Sequence, residues 1–257
     1  MTAPAAVEMR DRDEYAVVAG LYDVFAVAQG EAALPRIPAF ANRARPGWRV
    51  LDVGAGTGRV ALAVAGRGAT VHCLEPSSSM RSALLAKVAA RPALWPRITV
   101  VAGQAPEITL PGPFDYAYLA GSLQFLTADQ RRATFRALAE RMPPDAVLAL
   151  DMVDDTVAEY RPDPAGVVVA EARIGDSHYR MHAAVTDGTG DAVLITYRYE
   201  TTHQGRTDVQ TLRRRRYFHL RDDVHADLRA AGFTPDPHDP PDAGARGDDV
   251  LTARRTA

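Results

Sequence analysis

The sequence predicts an α/β protein: a doubly wound, mostly parallel sheet with an antiparallel β-meander inserted after the fifth strand. From Arg49 to Val153, short apolar runs alternate with helix-like segments, the pattern of a parallel sheet covered on both faces. The first run leads directly into Gly54, Gly56 and Gly58, a turn between a strand and a helix. Beyond residue 153 the helix-like segments give way to consecutive strand-like stretches separated by turn signals, as in a meander.

The elements follow in order. "YAVVAGLYDVF" (Tyr15–Phe25) precedes the first strand. "WRVLDV" (Trp48–Val53) reads as a buried strand, and Arg59–Arg67 as a helix with Val60, Leu62 and Val64 among alanines. "ATVHCLE" is the second strand. Ser77 is placed to cap a helix over Ser77–Ala90, in which Met80, Leu84, Leu85 and Val88 share a face. "ITVVAG" and "FDYAYLAG" are the third and fourth strands. Thr127–Met142 is a helix whose Thr-Ala-Asp-Gln start matches a capping box, and "AVLALDMV" is the fifth strand.

Four strand candidates come next: "GVVVAEARI", "HYRMHAAVT", "AVLITYRYETTH" and "TDVQTLRRRRYFHL". Turns are expected at Gly175-Asp176, at Asp187–Gly190 and at Gln204-Gly205. "RDDVHADLRAAGF" is a short helix stopped by Gly232, and "TPDPHDPPDAGARGDD" a Pro/Gly/Asp loop. "VLTARR" (Val250–Arg255) is expected to return as a final edge strand. An insertion at the carboxyl end of a strand lies beside the ligand crevice of such a sheet, where it can serve as a lid or a substrate platform.

The 257 residues are 47% hydrophobic and 24% charged with a formal net charge of −2, ordinary values for a globular protein. Such a balance gives no global basic field, so neither nucleic acid nor an anionic membrane is an expected partner. Arg213–Arg216 is the local exception. In a strand it puts two arginines on each side, free either to grip an anionic substrate, with Arg215 the candidate, or to pair with nearby acids. Cys73 is the only cysteine, so no internal disulfide can form, and its apolar run points to a buried thiol. The N-terminus has acids and no long apolar core. A cytoplasmic protein without a signal peptide or a membrane span is therefore expected. No His/Cys/Asp spacing suits a metal, and none is expected.

Gly54, Gly56 and Gly58 form G-x-G-x-G, which suits a tight turn with close backbone approach to a ligand. A dinucleotide fingerprint would need glycine where Arg59 stands, and a P-loop signature is absent. Asp52 precedes the turn. Glu75 ends the next strand, where a carboxylate can accept from both hydroxyls of a ribose; taken alone it could also be a solvated strand-end acid.

At this point the chain resembles the S-adenosylmethionine-dependent methyltransferases of the class I, Rossmann-like superfamily, of the small-molecule type, and is similar to amino-sugar N-methyltransferases. "LDVGAGTG" resembles their first motif, which puts Asp52, Gly54, Ala55, Gly56 and Gly58 in the cofactor set. "ATVHCLEPSSSM" resembles their second-strand segment, implying Glu75 on the ribose and Pro76 and Met80 near the adenine. "VAGQAPEI" resembles the following motif, with Gln104, beside Ala105, where those proteins usually carry an aspartate facing the adenine amine. "FDYAYLAGSLQFL" resembles the fourth-strand motif, implying that residues from Ala120 onward line the methionine moiety. Gln124 and Phe125 then face the acceptor. Some amino-sugar enzymes carry a histidine at the position of Phe125. "GF…VLTARR" resembles the usual closing hairpin.

The spacing of Tyr15, Ala19, Tyr22 and Asp23 resembles the segment that folds over the cofactor in glycine and amino-sugar N-methyltransferases. It implies Tyr15 near the transferred methyl group, contacting cofactor and acceptor, with Tyr22 as a second positioning group; both tyrosines could otherwise simply pin a helix. The organisation expected is a helical lid segment (1–46), a cofactor-binding core (47–153), a meander acting as substrate platform or homodimer element (154–220), and a closing helix with the last strand or strands (221–257). Methyl transfer requires alignment and exclusion of water; an amine attacks once neutral, whereas a hydroxyl benefits from a base. Base candidates are His178 and His182, two positions on one face of a strand, with His203 and Glu200 behind them and Tyr197 and Tyr199 as walls.

The reading expected is methyl transfer to nitrogen, or else oxygen, of a small molecule such as an amino sugar or other natural-product intermediate. The alternatives are O- or C-methylation of a phenolic or polyketide acceptor, and a non-catalytic cofactor-binding module.

Overall fold

A computed structural model describes residues 13–29, 36–152, 163, 165–236 and 250–256. The apolar runs form β1 (Arg49–Val53), β2 (Thr70–Glu75), β3 (Ile98–Ala102), β4 (Tyr116–Leu119) and β5 (Val147–Asp151), all parallel, in the order β3-β2-β1-β4-β5. Both faces are covered. Val50 lies in a core with Phe40 and Ala41 of α2 (Arg36–Ala41), Val64 of α3 (Arg59–Gly66) and Leu84 and Val88 of α4 (Ser78–Ala89). Its neighbours Leu51 and Val53 face the other way, toward Phe135 and Leu138 of α5 (Ala128–Ala139) and Leu228 of α6 (Arg221–Ala230). This is the alternation a two-sided strand requires.

Local signals set the helix starts. The Ser77 hydroxyl accepts from the Met80 N–H at 3.0 Å, and Thr127 and Gln130 complete the expected capping box. The α5 helix stops at Ala139, three residues short of the expected Met142, because Pro143 and Pro144 disfavour helical backbone in the residue before them.

The strands that follow are β6 (Val167–Ile174), β7 (Ser177–Thr189), β8 (Ala192–His203) and β9 (Arg206–Tyr217), an antiparallel meander in the order β6-β7-β8-β9. The β8–β9 turn has positive φ at both Gln204 (+47°) and Gly205 (+76°), the primed turn that matches strand twist. The turn expected over Asp187–Gly190 lies later. Asp187, Gly188 and Thr189 pair with Leu194, Val193 and Ala192 after a register shift at Val185/Asp187, which leaves Gly190 and Asp191 to reverse the chain.

The chain closes with β10 (Phe233–Pro235) and β11 (Val250–Arg255), and β11 lies between β10 and β5, antiparallel to both. The expectation that β11 is the edge is corrected. Val250 is buried on one face of the sheet and Leu251 and Ala253 on the other, so the strand is interior and the edge falls to β10 with Pro235. Most of the Pro/Gly/Asp loop, residues 237–249, lies outside the described residues.

A third core joins the N-terminal segment to the meander. Val18 and Phe25, the latter on α1 (Ala19–Ala28), pack with Ala170, Met181, Tyr199 and Leu212 on one face of the meander. The same segment is tied to the parallel sheet by polar contacts. Asp23 accepts from the Thr57 hydroxyl and the Lys87 ammonium, each at 2.7 Å. Asp13 accepts from the Ser79 N–H at 2.8 Å and the Ser78 hydroxyl at 3.0 Å, at the N-terminus of α4.

Burial pushes the Asp13 carboxyl up, but the bonds from Ser79 and its serine neighbours outweigh it and hold the pKa at about 2, below the ordinary 3.8. A depressed folded-state pKa contributes stability above the unfolded value and loses it as pH falls toward the folded one. In thermal melts, wild type is expected to be more stable than Asp13→Asn at neutral pH. The gap should close as pH falls from 3.8 to about 2. A gap that does not change with pH would count against this contact.

Candidate active site

The strand order reverses between β1 and β4, and ligands bind outside the carboxyl ends of the strands at such a switch point. The glycine turn sits there. Gly54, Gly56 and Gly58 have φ of +80°, +54° and +76°, a region in which side chains are strained. Their roles differ. A Cβ on Gly54 would stand 2.7 Å from Ser122 Cβ, and one on Gly58 2.6 Å from Leu84 Cγ, so these two glycines serve close packing. A Cβ on Gly56 would meet nothing within 4 Å. Gly56 therefore leaves an open cradle at the surface of the turn.

Glu75 closes one side of that cradle. One carboxylate oxygen accepts from the Gly56 N–H and the other from the Ser77 N–H, both at 2.8 Å. Each oxygen keeps a second lone-pair direction, which suits paired ribose hydroxyls. Burial pushes the carboxyl up, opposed by the bonds from Ser77 and Gly56. Asp52 does different work. Its side chain is 2% exposed and accepts from the Tyr118 hydroxyl at 2.8 Å, beneath the turn. Burial raises its pKa, and it buttresses the turn from the core rather than facing a ligand.

The remaining residues expected around the cofactor ring the same strand ends. Ala55 is half-buried in the turn, Pro76 is exposed at the start of α4, and Met80 is buried behind it. Gln104 is exposed just past β3, with Ala105 half-buried beside it, and Ala120 is half-buried at the end of β4. The next residues are held down firmly. The Gly121 N–H donates to Asp151 and the Ser122 hydroxyl to the Val53 carbonyl, each at 2.7 Å. Beyond them, Leu123, Gln124, Asp151, Met152, Tyr217 and His219 line a small pocket.

An aromatic group stands over this region. Tyr15 and Tyr22 meet edge to face at 6.4 Å. Tyr22 keeps 40% of its surface accessible, yet enough protein surrounds its hydroxyl that burial raises its pKa; a side chain lining a cleft satisfies both. The Arg214 guanidinium lies over Tyr15 at 5.0 Å and over Phe125 at 4.5 Å and pairs with Glu14. Tyr197 is half-buried on the same face of the meander. Tyr199, expected as a second wall, is instead buried against Phe25 with ring centres 5.5 Å apart, so it packs beneath α1.

Three expectations are corrected by strand parity. Tyr179 and Met181 of β7 face α1, so His178 and His182 point to the opposite side of the sheet. There His182 lies 3.2 Å from Glu200 and His178 3.8 Å from Glu171, away from Tyr15. They are not placed to take a proton in the cleft. Arg215 is exposed on that same far side with Arg213, and Arg214 is the arginine that reaches the cleft. The arginine run itself signalled this residue, but only the packed face of β9 chooses among its members.

No helix among the described residues is long and apolar enough to cross a membrane. Among the same residues, no group of three or more His, Cys, Asp or Glu side chains stands where it could hold a metal ion.

Residues 50–145 match the family model described as a methyltransferase domain. In overall structure the chain is similar to CalS10, an amino pentose methyltransferase from Micromonospora echinaspora in its S-adenosylmethionine-bound form. Identity is 21%, the match covers 92% of this chain and 97% of that one, and the TM-score is 0.67. It is also similar to the sugar N-methyltransferase KedS8 from Streptoalloteichus sp., at 19% identity over 100% of this chain and 99% of that one, TM-score 0.68. The glycopeptide N-methyltransferase MtfA, complexed with S-adenosylmethionine, matches at 24% identity over 86% of each chain, TM-score 0.60. No match is found among curated proteins. At these identities the structures show the fold, a Rossmann-like methyltransferase fold with an antiparallel sheet inserted after the fifth strand. By the family match residues 50–145 are a methyltransferase domain, and the fold around them is one that S-adenosylmethionine-dependent methyltransferases share.

Gly56→Val is expected to weaken S-adenosylhomocysteine binding by about a hundredfold or more in calorimetry while leaving the far-ultraviolet spectrum native, because the added side chain fills the cradle. Unchanged affinity would mean that the cofactor sits elsewhere.

Proposed function

We propose that this enzyme methylates a nitrogen of a small molecule, an amino sugar or another natural-product intermediate. The observation that carries the reading is that aromatic side chains gather beside the cradle while, among the described residues, the meander's base candidates His178 and His182 face away from them. Tyr15 meets Tyr22 edge to face, Arg214 bridges Tyr15 and Phe125, and Tyr197 lies on the same face of the meander as Arg214, while His178 and His182 stand on its other side. An amine, once neutral, needs no base to attack. The N-methyltransferases among the similar structures, one acting on sugars and one on glycopeptides, point the same way.

S-adenosylmethionine, when bound, supplies an electrophilic methyl group on a sulfonium. This chain supplies alignment. Glu75 and the Gly56 turn orient the nucleoside, and the Asp151- and Val53-anchored loop after β4 borders its methionine end. Tyr15 and Tyr22, clamped down through Asp13 and Asp23, cover the site and exclude water. The Tyr15 hydroxyl, whose pKa burial pushes up, stays protonated and can donate or accept a hydrogen bond at the reacting centre. The aromatic walls also suit a phenolic ring, which supports O- or C-methylation as a second reading.

A panel of nucleotide-linked amino sugars, amino-acid amines and phenols tests the choice. With an amine acceptor, kcat/KM should rise with pH along the acceptor's own pKa and shift when that amine is changed. A fixed midpoint shared by all acceptors, or turnover of phenols alone, would reject nitrogen transfer. Tyr15→Phe should lower kcat by about tenfold or more with S-adenosylhomocysteine affinity within about twofold. An unaffected rate would return Tyr15 to a packing role.

A further inference from the structure

A buried polar chain runs behind the acceptor side of the site. Arg131 of α5 is 3% exposed. Its Nε donates to the Asp227 carboxylate of α6 at 2.9 Å, and Nη2 donates to the same oxygen. Its third contact is Nη1 to His219 Nδ1 at 2.6 Å, and His219 Nε2 lies 3.3 Å from the Leu123 carbonyl oxygen.

Donor and acceptor roles settle the state of this ring. A guanidinium only donates, so His219 Nδ1 must accept and carries no proton. A carbonyl only accepts, so Nε2 carries the ring proton and donates to Leu123. Both nitrogens are committed and the ring is neutral. Burial, and then the Arg131 charge, push its pKa down. The other charges nearby do not reverse this. Asp227 is held by Arg131 and approached by Arg132 at 4.0 Å, and the influence of Asp191 on the ring is weaker than that of Arg131.

The carbonyl that His219 holds belongs to the loop joining β4 to α5. Asp151 fixes this loop at Gly121 and Val53 fixes it at Ser122. Leu123 is the next residue, and Gln124 and Phe125 follow. His219 comes just after β9, whose Arg214 covers Phe125. It therefore ties the end of the meander to the loop facing it, and its ring lines the small pocket with Gln124 and Asp151.

We propose that His219 is a positioning residue: locked by Arg131 as the neutral Nε2–H tautomer, it fixes the Leu123 carbonyl and so sets the loop that presents Gln124 and Phe125 to the acceptor. It is not a base, because neither ring nitrogen has a lone pair to spare. That the loop faces the acceptor rests on the function proposed above; the tautomer does not.

The tautomer is read by nuclear magnetic resonance on the full chain labelled with 15N-histidine, with His219→Gln assigning the signal. The His219 ring should remain the neutral Nε2–H form from about pH 5.5 to 8. An ordinary titration in that range, or the Nδ1–H form, would overturn the proposal. Kinetics with a nucleotide-linked amino sugar as probe read the consequence. His219→Phe should raise the acceptor KM by about tenfold with a smaller change in kcat and S-adenosylhomocysteine affinity within about twofold. His219→Gln, whose amide offers one acceptor and one donor, should recover most of the loss. A His219→Phe enzyme with wild-type KM would refute positioning. If that variant does not fold, His219→Gln and the tautomer decide. A wild-type enzyme inactive on every amino sugar would strike the acceptor reading alone and leave the tautomer measurement to judge this one.

Discussion

Glu75 holds two backbone N–H groups that belong to different elements: Gly56 in the turn after β1 and Ser77 before α4. A hydrogen bond to a charged group contributes about 1.5–3 kcal/mol, and a buried carboxylate without partners is costly. The turn and the start of α4 are therefore fixed relative to each other through one side chain. That constraint reaches outward. Ser77 caps α4, the next serines receive Asp13, and Asp13 places Tyr15 two residues later. Thr57, inside the turn, donates to Asp23 and so fixes α1, which carries Tyr22. The glycine turn and the tyrosine-bearing segment beside it are built on the same few bonds, so a change at Glu75 should disturb both.

This segment is held by polar contacts on one side and an apolar core on the other. Val18 and Phe25 bury themselves against Met181, Tyr199 and Leu212 of the meander, while Asp13 and Asp23 reach the parallel sheet. A segment with a hydrophobic face toward the meander and hydrogen bonds toward the parallel sheet couples the two sheets. Arg214 closes the remaining side by stacking on both Tyr15 and Phe125.

Much of this was legible in the amino-acid order, and for a physical reason. Buried parallel strands read as continuous apolar runs, caps and primed turns depend on single residues, and the glycine turn sits in a strand–helix context that few ligands share. Hence β1 to β5, the caps at Ser77 and Thr127, the meander and the cradle residues Gly56 and Glu75 could all be named from the sequence. What was not legible is anything that depends on distant partners. Asp52 looked like a ligand-facing acid until Tyr118, from β4, took its carboxylate. The β11 strand looked like an edge because nothing in "VLTARR" says that β10 lies outside it. His219 carries no local signal at all: its partners Arg131 and Leu123 are 88 and 96 residues away.

The meander shows most clearly where local reading stops. A strand puts neighbours on opposite faces, so a run such as Arg213–Arg216 contains two answers to the question of which arginine meets the ligand. The choice is made by the apolar residues of the same strand. Leu212 must join the core beneath α1, so every second residue from it, Arg214 included, turns toward the cleft. The same rule carries Met181 inward and therefore His178 and His182 outward. Those histidines are thus removed from the chemistry by a packing demand rather than by anything at the active site. A meander that turns Tyr197 and Arg214 inward and these histidines outward fits the proposed amine acceptor, which attacks once neutral and needs no base from the protein.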